Sequence, residues 1–160
     1  MLEERRRRLL CAMTAGSLWP ADSPWVRAAV ESVPRDHFAP DTVWVWARGE
    51  RDEAVRRAEA PEAWAAEVHP GPYDSTVTQV TDSMPTSSIS CAAVVATMLD
   101  SLALEPGHRV LELGTGSGWN AALLAQRAAH VTSIETDAEL AAHAPPTHRG
   151  GRPPRPGHHR

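Results

Sequence analysis

The sequence predicts an α/β protein, and three observations lead there. A short apolar strand, a glycine loop, a helix and a second strand follow one another between Val110 and Glu135. Upstream of that unit, amphipathic helical segments alternate with short β-compatible runs. Composition leaves a globular class standing: no apolar run approaches the roughly 18 residues of a membrane span. The chain has 160 residues, with 16 basic and 20 acidic side chains and a formal charge of −4. That mildly acidic balance argues against a nucleic-acid partner bound through phosphates. The arginine-rich start, Glu3 to Arg8, has no apolar segment behind it and does not read as a secretory signal. Cys11 and Cys91 are too few for a disulfide framework, so a reducing cytoplasm is the expected compartment.

The elements follow in order. Leu2 to Ala15 reads as a helix with Leu9, Leu10 and Met13 as its apolar stripe, and Arg5 to Arg8 as a solvated face. Ser23 to Ser32 reads as a second, with Pro24 in its first turn and Trp25, Val26, Ala29 and Val30 inward. Val33-Pro34-Arg35 stops it. Thr42 to Trp46 is β-compatible, placing Trp44 and Trp46 on one face, and Trp64 lies in a helical segment after Pro61. His69 to Ser90 reads as a long loop with one strand at Thr76–Val80. Cys91 to Leu104 has the spacing of an amphipathic helix, apolar at 94, 95, 98, 99 and 102. Val110–Leu113 and Val131–Glu135 are strands flanking a helix from Trp119 to Ala129. Such a βαβ unit implies parallel pairing and a right-handed crossover. Thr136 to Ala142 is a last short helix.

Composition then breaks. Residues 143–160 hold five Pro, four Arg, four His and three Gly with no acid, so this tail is +4 and the preceding 142 residues are −8. Such a segment is expected to be disordered. Its histidines have no zinc-ligand spacing, and no metal site is expected.

The glycine loop carries the chemistry. Gly114, Gly116 and Gly118 with Thr115 and Ser117 between them make a GxGxG pattern, not the GxGxxG of a dinucleotide fold. Glycine lets a ligand approach the backbone closely. Glu112, two residues before the loop, is a poor neighbour for phosphate and a suitable one for an ammonium or sulfonium. Glu135 lies 21 residues after Gly114, where a carboxylate accepts from both hydroxyls of an adenosine ribose. Together these point to S-adenosylmethionine as cofactor. Three alternately spaced glycines beside Glu112 are more than a tight turn requires, while Glu135 has an ordinary exposed strand end as its simpler role.

Val110 to Ala125 and Val131 to Asp137 resemble the first two motifs of class I methyltransferases. More narrowly, with Val33-Pro-Arg-Asp-His-Phe38, Thr86-Ser-Ser-Ile-Ser90 and Pro106-Gly-His-Arg-Val110, the chain resembles the protein-L-isoaspartate O-methyltransferase family over about residues 25 to 142. The resemblance implies a Rossmann-like class I methyltransferase fold, here incomplete: a helical N-terminal region plus the first βαβ unit. It implies three stretches: a substrate-side region (1–105), the start of the S-adenosylmethionine-binding domain (106–142) and the tail (143–160). It implies methylation of an aspartyl or isoaspartyl carboxylate on a protein or peptide, with Ser90 as the active-site serine. The family continues from Ile-Ser with a residue and then proline, whereas Cys91-Ala92 follows here. Ser90 also stands just before a helix, where an N-cap is the plainer role. Cys91 reads as a buried small hydrophobe, and the tryptophans as packing. Pro61–Trp64, Val77–Val80 and Met84–Ser88 resemble a branch that accompanies ATP-grasp enzymes of ribosomal-peptide maturation, and the lysine-free, alanine-rich composition fits a GC-rich gene.

The class I sheet continues beyond its second strand, and the change at 143 reads as a C-terminal truncation. Two functional expectations follow: a carboxylate O-methyltransferase, or a catalytically inactive fragment that binds peptides through its Trp-rich half. A dinucleotide oxidoreductase is disfavoured by the loop spacing.

Overall fold

The computed structural model describes residues 1–46 and 53–144. Helix α1 (Leu2–Ala15) carries Glu3 and Glu4 in its first turn, where the helix dipole favours anions. Leu9 and Met13 are buried, and Leu10 packs at the cluster's edge. Of the four arginines, Arg7 and Arg8 stay in solvent and pair with Glu4. Arg6 instead reaches the carbonyl of Glu31 and ties α1 to α2 (Pro24–Ser32). Proline at the first position suits α2, because that N–H has no partner in a helix. A single 3₁₀ turn, Arg35–His37, follows.

Four strands form an antiparallel sheet: β1 (Thr42–Val45), β2 (Glu53–Arg56), β3 (Thr76–Thr81) and β4 (Met84–Ile89), in the order β2-β1-β3-β4. Helix α3 (Pro61–Val68) covers one side of it. Trp64 is 1% exposed there, in a small cluster with Val43, Val55 and Val68, and its indole N–H donates to Pro40 O at 2.9 Å.

The long loop expected at 69–90 is instead a hairpin for its second half. β3 and β4 are joined by Asp82 and Ser83, both left-handed at φ 51° and 59°. Two positive φ values make the mirror-image turn that fits the twist of paired strands. Pro85 and the hydroxyl run Thr86–Ser88 disguise β4. They are tolerated because β4 is an edge strand.

Helix α4 (Ala92–Ser101) buries a different face from the one expected. Ala92, Ala93, Val95, Ala96 and Leu99 face inward, while Val94, Met98 and Leu102 are about half exposed, at 49%, 51% and 53%. Alanines let α2 and α4 approach closely, so packing distance overrode side-chain size.

The α/β unit is the parallel pair β5 (Arg109–Leu113) and β6 (His130–Ile134), in register from Arg109 with His130 to Leu113 with Ile134. Helix α5 between them is shorter than expected, Trp119–Leu124, and the chain turns through Gln126 and Ala128 into β6. Val110 and Val131 pack on the main core with Leu123 and Leu124, while Leu111, Leu113 and Ile134 point outward and are exposed. Helix α6 (Ala138–His143) is capped by Asp137, whose carboxylate accepts from Glu139 N and Leu140 N at 2.8 and 3.1 Å. His143 ends this helix and Ala144 follows as its C-cap, while residues 145–160 of the expected tail lie outside the described residues. Among the described residues no helix is long and apolar enough to cross a membrane.

The hairpin turn yields a direct check. Ser83→Gly removes a side chain from a left-handed position and is expected to stabilise the protein by about 0.5–1 kcal/mol, read as a higher urea midpoint at unchanged slope.

Candidate active site

β5 and β6 run parallel and end side by side, so the loop after β5 and the residues after β6 meet. Gly114 N donates to Ile134 O at 2.8 Å, extending the ladder one step past β5, and Gly118 N closes the turn on Thr115 O at 2.8 Å. Gly116 has φ 51° and Gly118, the N-cap of α5, φ 83°. A side chain at either would sit in strained backbone, so glycine is a conformational requirement there.

Polar side chains hold the loop from below. Glu112 accepts from Asn120 Nδ2 at 2.6 Å and from Ser133 Oγ, and the Ser133 hydroxyl also pairs with Thr115 Oγ1 at 2.6 Å. Asn120 Oδ1 is buried without a partner among the described residues. Glu135 turns back to the loop: Oε2 accepts from Gly116 N at 2.8 Å, and Oε1 from Thr136 N and Asp137 N at 2.8 and 3.1 Å. The Gly116 N–H, before the other two, holds the Glu135 carboxyl below its ordinary range.

The end of β4 closes over this loop. A cavity of about 250 Å³ lies between them, lined by Ser88 of β4, Ser90 just after it, Met98 of α4, Glu112, Asn120 and loop residues 114–117. A Cβ at Gly116 would stand 3.7 Å from Ser87 Oγ, so hairpin and loop are in near contact. Gln79 Nε2 donates to Asp137 Oδ2 at 3.1 Å, a second bridge from β3 to the residues after β6.

Of the residues selected from sequence, Ser90, Glu112, Gly114, Thr115, Gly116 and Ser117 line one cavity. Gly118, the N-cap of α5, lies behind it. Glu135 is not in the lining; its carboxylate anchors the loop from outside. Ser90 does not cap α4, since Cys91 occupies that position and no side chain caps the helix. The Ser90 hydroxyl makes no hydrogen bond among the described residues, and the residue is exposed. Cys91 is buried and free, and Cys11 is exposed and free.

Three residues at or near the site escaped sequence reasoning. Asn120 gave no signal, being one polar residue at the start of a helix. Arg35 is buried among carbonyls; sequence placed it in the Val33–Phe38 segment of the family resemblance and gave it no role at the site. His69, also buried, pairs through Nε2 with Asp36 Oδ1 at 3.0 Å. Burial lowers the His69 pKa, opposed by the Asp36 hydrogen bond.

The Glu135 anchor has a pH signature. A carboxylate whose folded pKa lies below its unfolded value, here near 4.5, stabilises fully above that value and loses the contribution as pH falls through the folded pKa. Glu135→Gln is therefore expected to be less stable than wild type at pH 7 and to converge with it in acid. Urea titrations across pH would show the difference narrowing only below the ordinary carboxylate range.

A family model described as protein-L-isoaspartate(D-aspartate) O-methyltransferase matches residues 51–149, more than half of the chain. Among curated relatives, protein-L-isoaspartate O-methyltransferase 2 of Rhodopseudomonas palustris (strain HaA2) is 39% identical over 116 residues, 72% of this chain and 41% of that protein. Protein-L-isoaspartate O-methyltransferase of Methylorubrum extorquens (strain PA1) is 42% identical over 103 residues, 59% of this chain and 42% of that protein. A solved protein-L-isoaspartate O-methyltransferase aligns over 87% of this chain and 36% of its own at 19% identity, with a TM-score of 0.48. The chain thus spans about two fifths of the length of these curated relatives. On the family match and these identities, the chain belongs to the protein-L-isoaspartate O-methyltransferase family.

Proposed function

We propose that the chain carries the donor loop and acceptor strand of an S-adenosylmethionine-dependent O-methyltransferase, acting on an aspartyl or isoaspartyl carboxylate of a protein or peptide. The observation that carries this reading is the convergence of Ser90 and the glycine loop on one cavity with an anionic wall at Glu112. In this reading residues 1–105 form the acceptor side and 106–142 begin the donor-binding domain, and two free cysteines fit the reducing cytoplasm.

The residues present suit the donor. Glu112 places negative charge beside the loop, and the unpaired Asn120 Oδ1 adds an acceptor, a set that favours a cationic ligand over phosphate. When bound, S-adenosylmethionine supplies an electrophilic methyl group on a positively charged sulfur. Glu135 has lone pairs left on Oε2 for a ribose hydroxyl while Gly116 N stays bound. On the acceptor side, a carboxylate is already anionic near neutral pH, so no general base is required. The work left for the protein is alignment and the replacement of water by fixed donors. The free hydroxyl of Ser90 is such a donor, with Ser88 beside it.

Calorimetric titration tests the donor half. Saturable binding of S-adenosylmethionine is expected, weakened about tenfold in Glu112→Gln; S-adenosylhomocysteine, which lacks the sulfonium charge but keeps the ammonium, loses as much if Glu112 faces the ammonium and less if it faces the sulfonium. A folded protein that gives no heat with either ligand sinks the donor reading. Ser90→Ala is expected to lower methyl transfer to an isoaspartyl peptide about tenfold at unchanged donor affinity, by loss of one oriented hydrogen bond. Running an ordinary aspartyl peptide alongside identifies the acceptor.

A second reading, peptide binding without catalysis, is favoured by one feature. An apolar concavity of about 500 Å³ lies between Leu18–Pro20, Tyr73 and the exposed Val94–Met98 stripe of α4, and Met98 also borders the first cavity. Peptide binding that persists while no donor binds would select it.

A further inference from the structure

Arg35 is a buried cation with no carboxylate partner among the described residues. It is 3% exposed, and none of its hydrogen bonds or ion pairs among the described residues is to a carboxylate. Nη1 donates to Ser90 O at 2.8 Å, and Nη2 donates to Ile89 O at 2.8 Å and Thr76 Oγ1 at 2.9 Å. Nε has no partner among the described residues. The guanidinium carbon lies 5.2 Å from the centre of the Trp119 ring, within cation–π range. Burial pushes its pKa down to about 10, so it stays charged at neutral pH. Taking a charge out of water for neutral acceptors alone costs more than an apolar side chain of similar volume would.

The placement of the acceptors says what that cost achieves. Ile89 O and Ser90 O belong to the two peptide units on either side of the Ser90 Cα. Peptide units are planar, so fixing both carbonyls fixes the direction in which the Ser90 side chain leaves the backbone. The Ser90 hydroxyl has no hydrogen bond of its own to do this. Polarising the two carbonyls also strengthens the Ser90 and Cys91 N–H groups as donors. On its other side, Arg35 meets Trp119, the first residue of α5 after the glycine loop, and Trp119 Nε1 donates to Val33 O at 3.2 Å. One side chain therefore spans from the acceptor strand to the root of the donor loop.

We propose that Arg35 is the positioning residue for Ser90: it clamps the two carbonyls around that serine and, through Trp119, holds the acceptor strand at a fixed distance from the glycine loop. This rests on the reading of Ser90 as an acceptor-side donor. Arg35 does not touch the substrate, and its effect on transfer passes through Ser90.

A double-mutant cycle separates that role from general support of the fold. Methyl transfer to an isoaspartyl peptide is measured for wild type, Arg35→Lys, Ser90→Ala and the double variant. Arg35→Lys is expected to lower kcat about tenfold with KM for S-adenosylmethionine unchanged, and to have no further effect in the Ser90→Ala background. Multiplicative losses in the double variant overturn the proposal, as does wild-type kcat in Arg35→Lys. Hydrogen exchange reads the clamp without catalysis: the Ala93 and Val95 amides, which donate to Pro72 O and Cys91 O just after Ser90, are expected to exchange about tenfold faster in Arg35→Lys, with α2 amides unchanged. If the wild-type chain transfers no methyl group, the functional reading fails and exchange alone decides the clamp; unchanged exchange overturns it. Should Arg35→Lys not fold, Thr76→Val removes one acceptor and leaves both carbonyl bonds, and the same pattern is expected at smaller size.

Discussion

The guanidinium of Arg35 sits where four segments meet: the turn after α2, the start of β3, the end of β4 and the start of α5. Each contributes something the others need. The Thr76 hydroxyl that accepts from Arg35 in turn donates to Glu67 O at 2.7 Å, which carries the link on to α3. Trp119, which covers the guanidinium, is 2% exposed and belongs to the main core with Leu123 and Leu124. The antiparallel sheet and the parallel pair share no strand. Their relative placement depends on this joint and on the lesser bridge from Gln79 to Asp137.

The glycine loop illustrates the opposite strategy, order imposed by anions rather than by a cation. Glu112 and Glu135 approach the loop from its two ends, one binding side chains and the other backbone N–H groups. Both carboxylates are engaged before any ligand arrives, so the positive-φ glycines are held in one shape rather than sampling many. A loop ordered in advance loses less entropy when it binds. Glu112 also lines the cavity, so in the proposed reading preorganisation and preference for a cation share one group.

Much of this was legible in the sequence, for identifiable reasons. The βαβ unit announced itself because strand, glycine loop and strand have distinct local signatures, and its strands fell within one residue of the expected limits. Helices α1 and α2 were legible from apolar spacing and, for α2, from Pro24 in its first turn. Strand β4 was not, because an edge strand can be built from Pro, Ser and Thr that read as loop. The buried face of α4 was misjudged because alanine is small on any apolar scale yet ideal for close helix packing. At the site, spacing alone put Glu112, Gly114 and Gly116 on one loop, and the structure gathers them round one cavity. That Glu135 would anchor the Gly116 amide, or that Arg35 would be buried, depends on partners 19 and 54 residues away, and no local pattern encodes such pairs.

The span of the Arg35 contacts also bears on the order in which the chain folds. The β3–β4 hairpin closes over two residues, whereas Arg35 reaches partners 41, 54 and 55 residues away. Long loops close late, and a guanidinium is desolvated only once its acceptors are in place. Contacts made after the folding barrier leave the folding rate alone and slow unfolding instead. The joint between the two sheets is therefore a determinant of how long the native state lasts once formed.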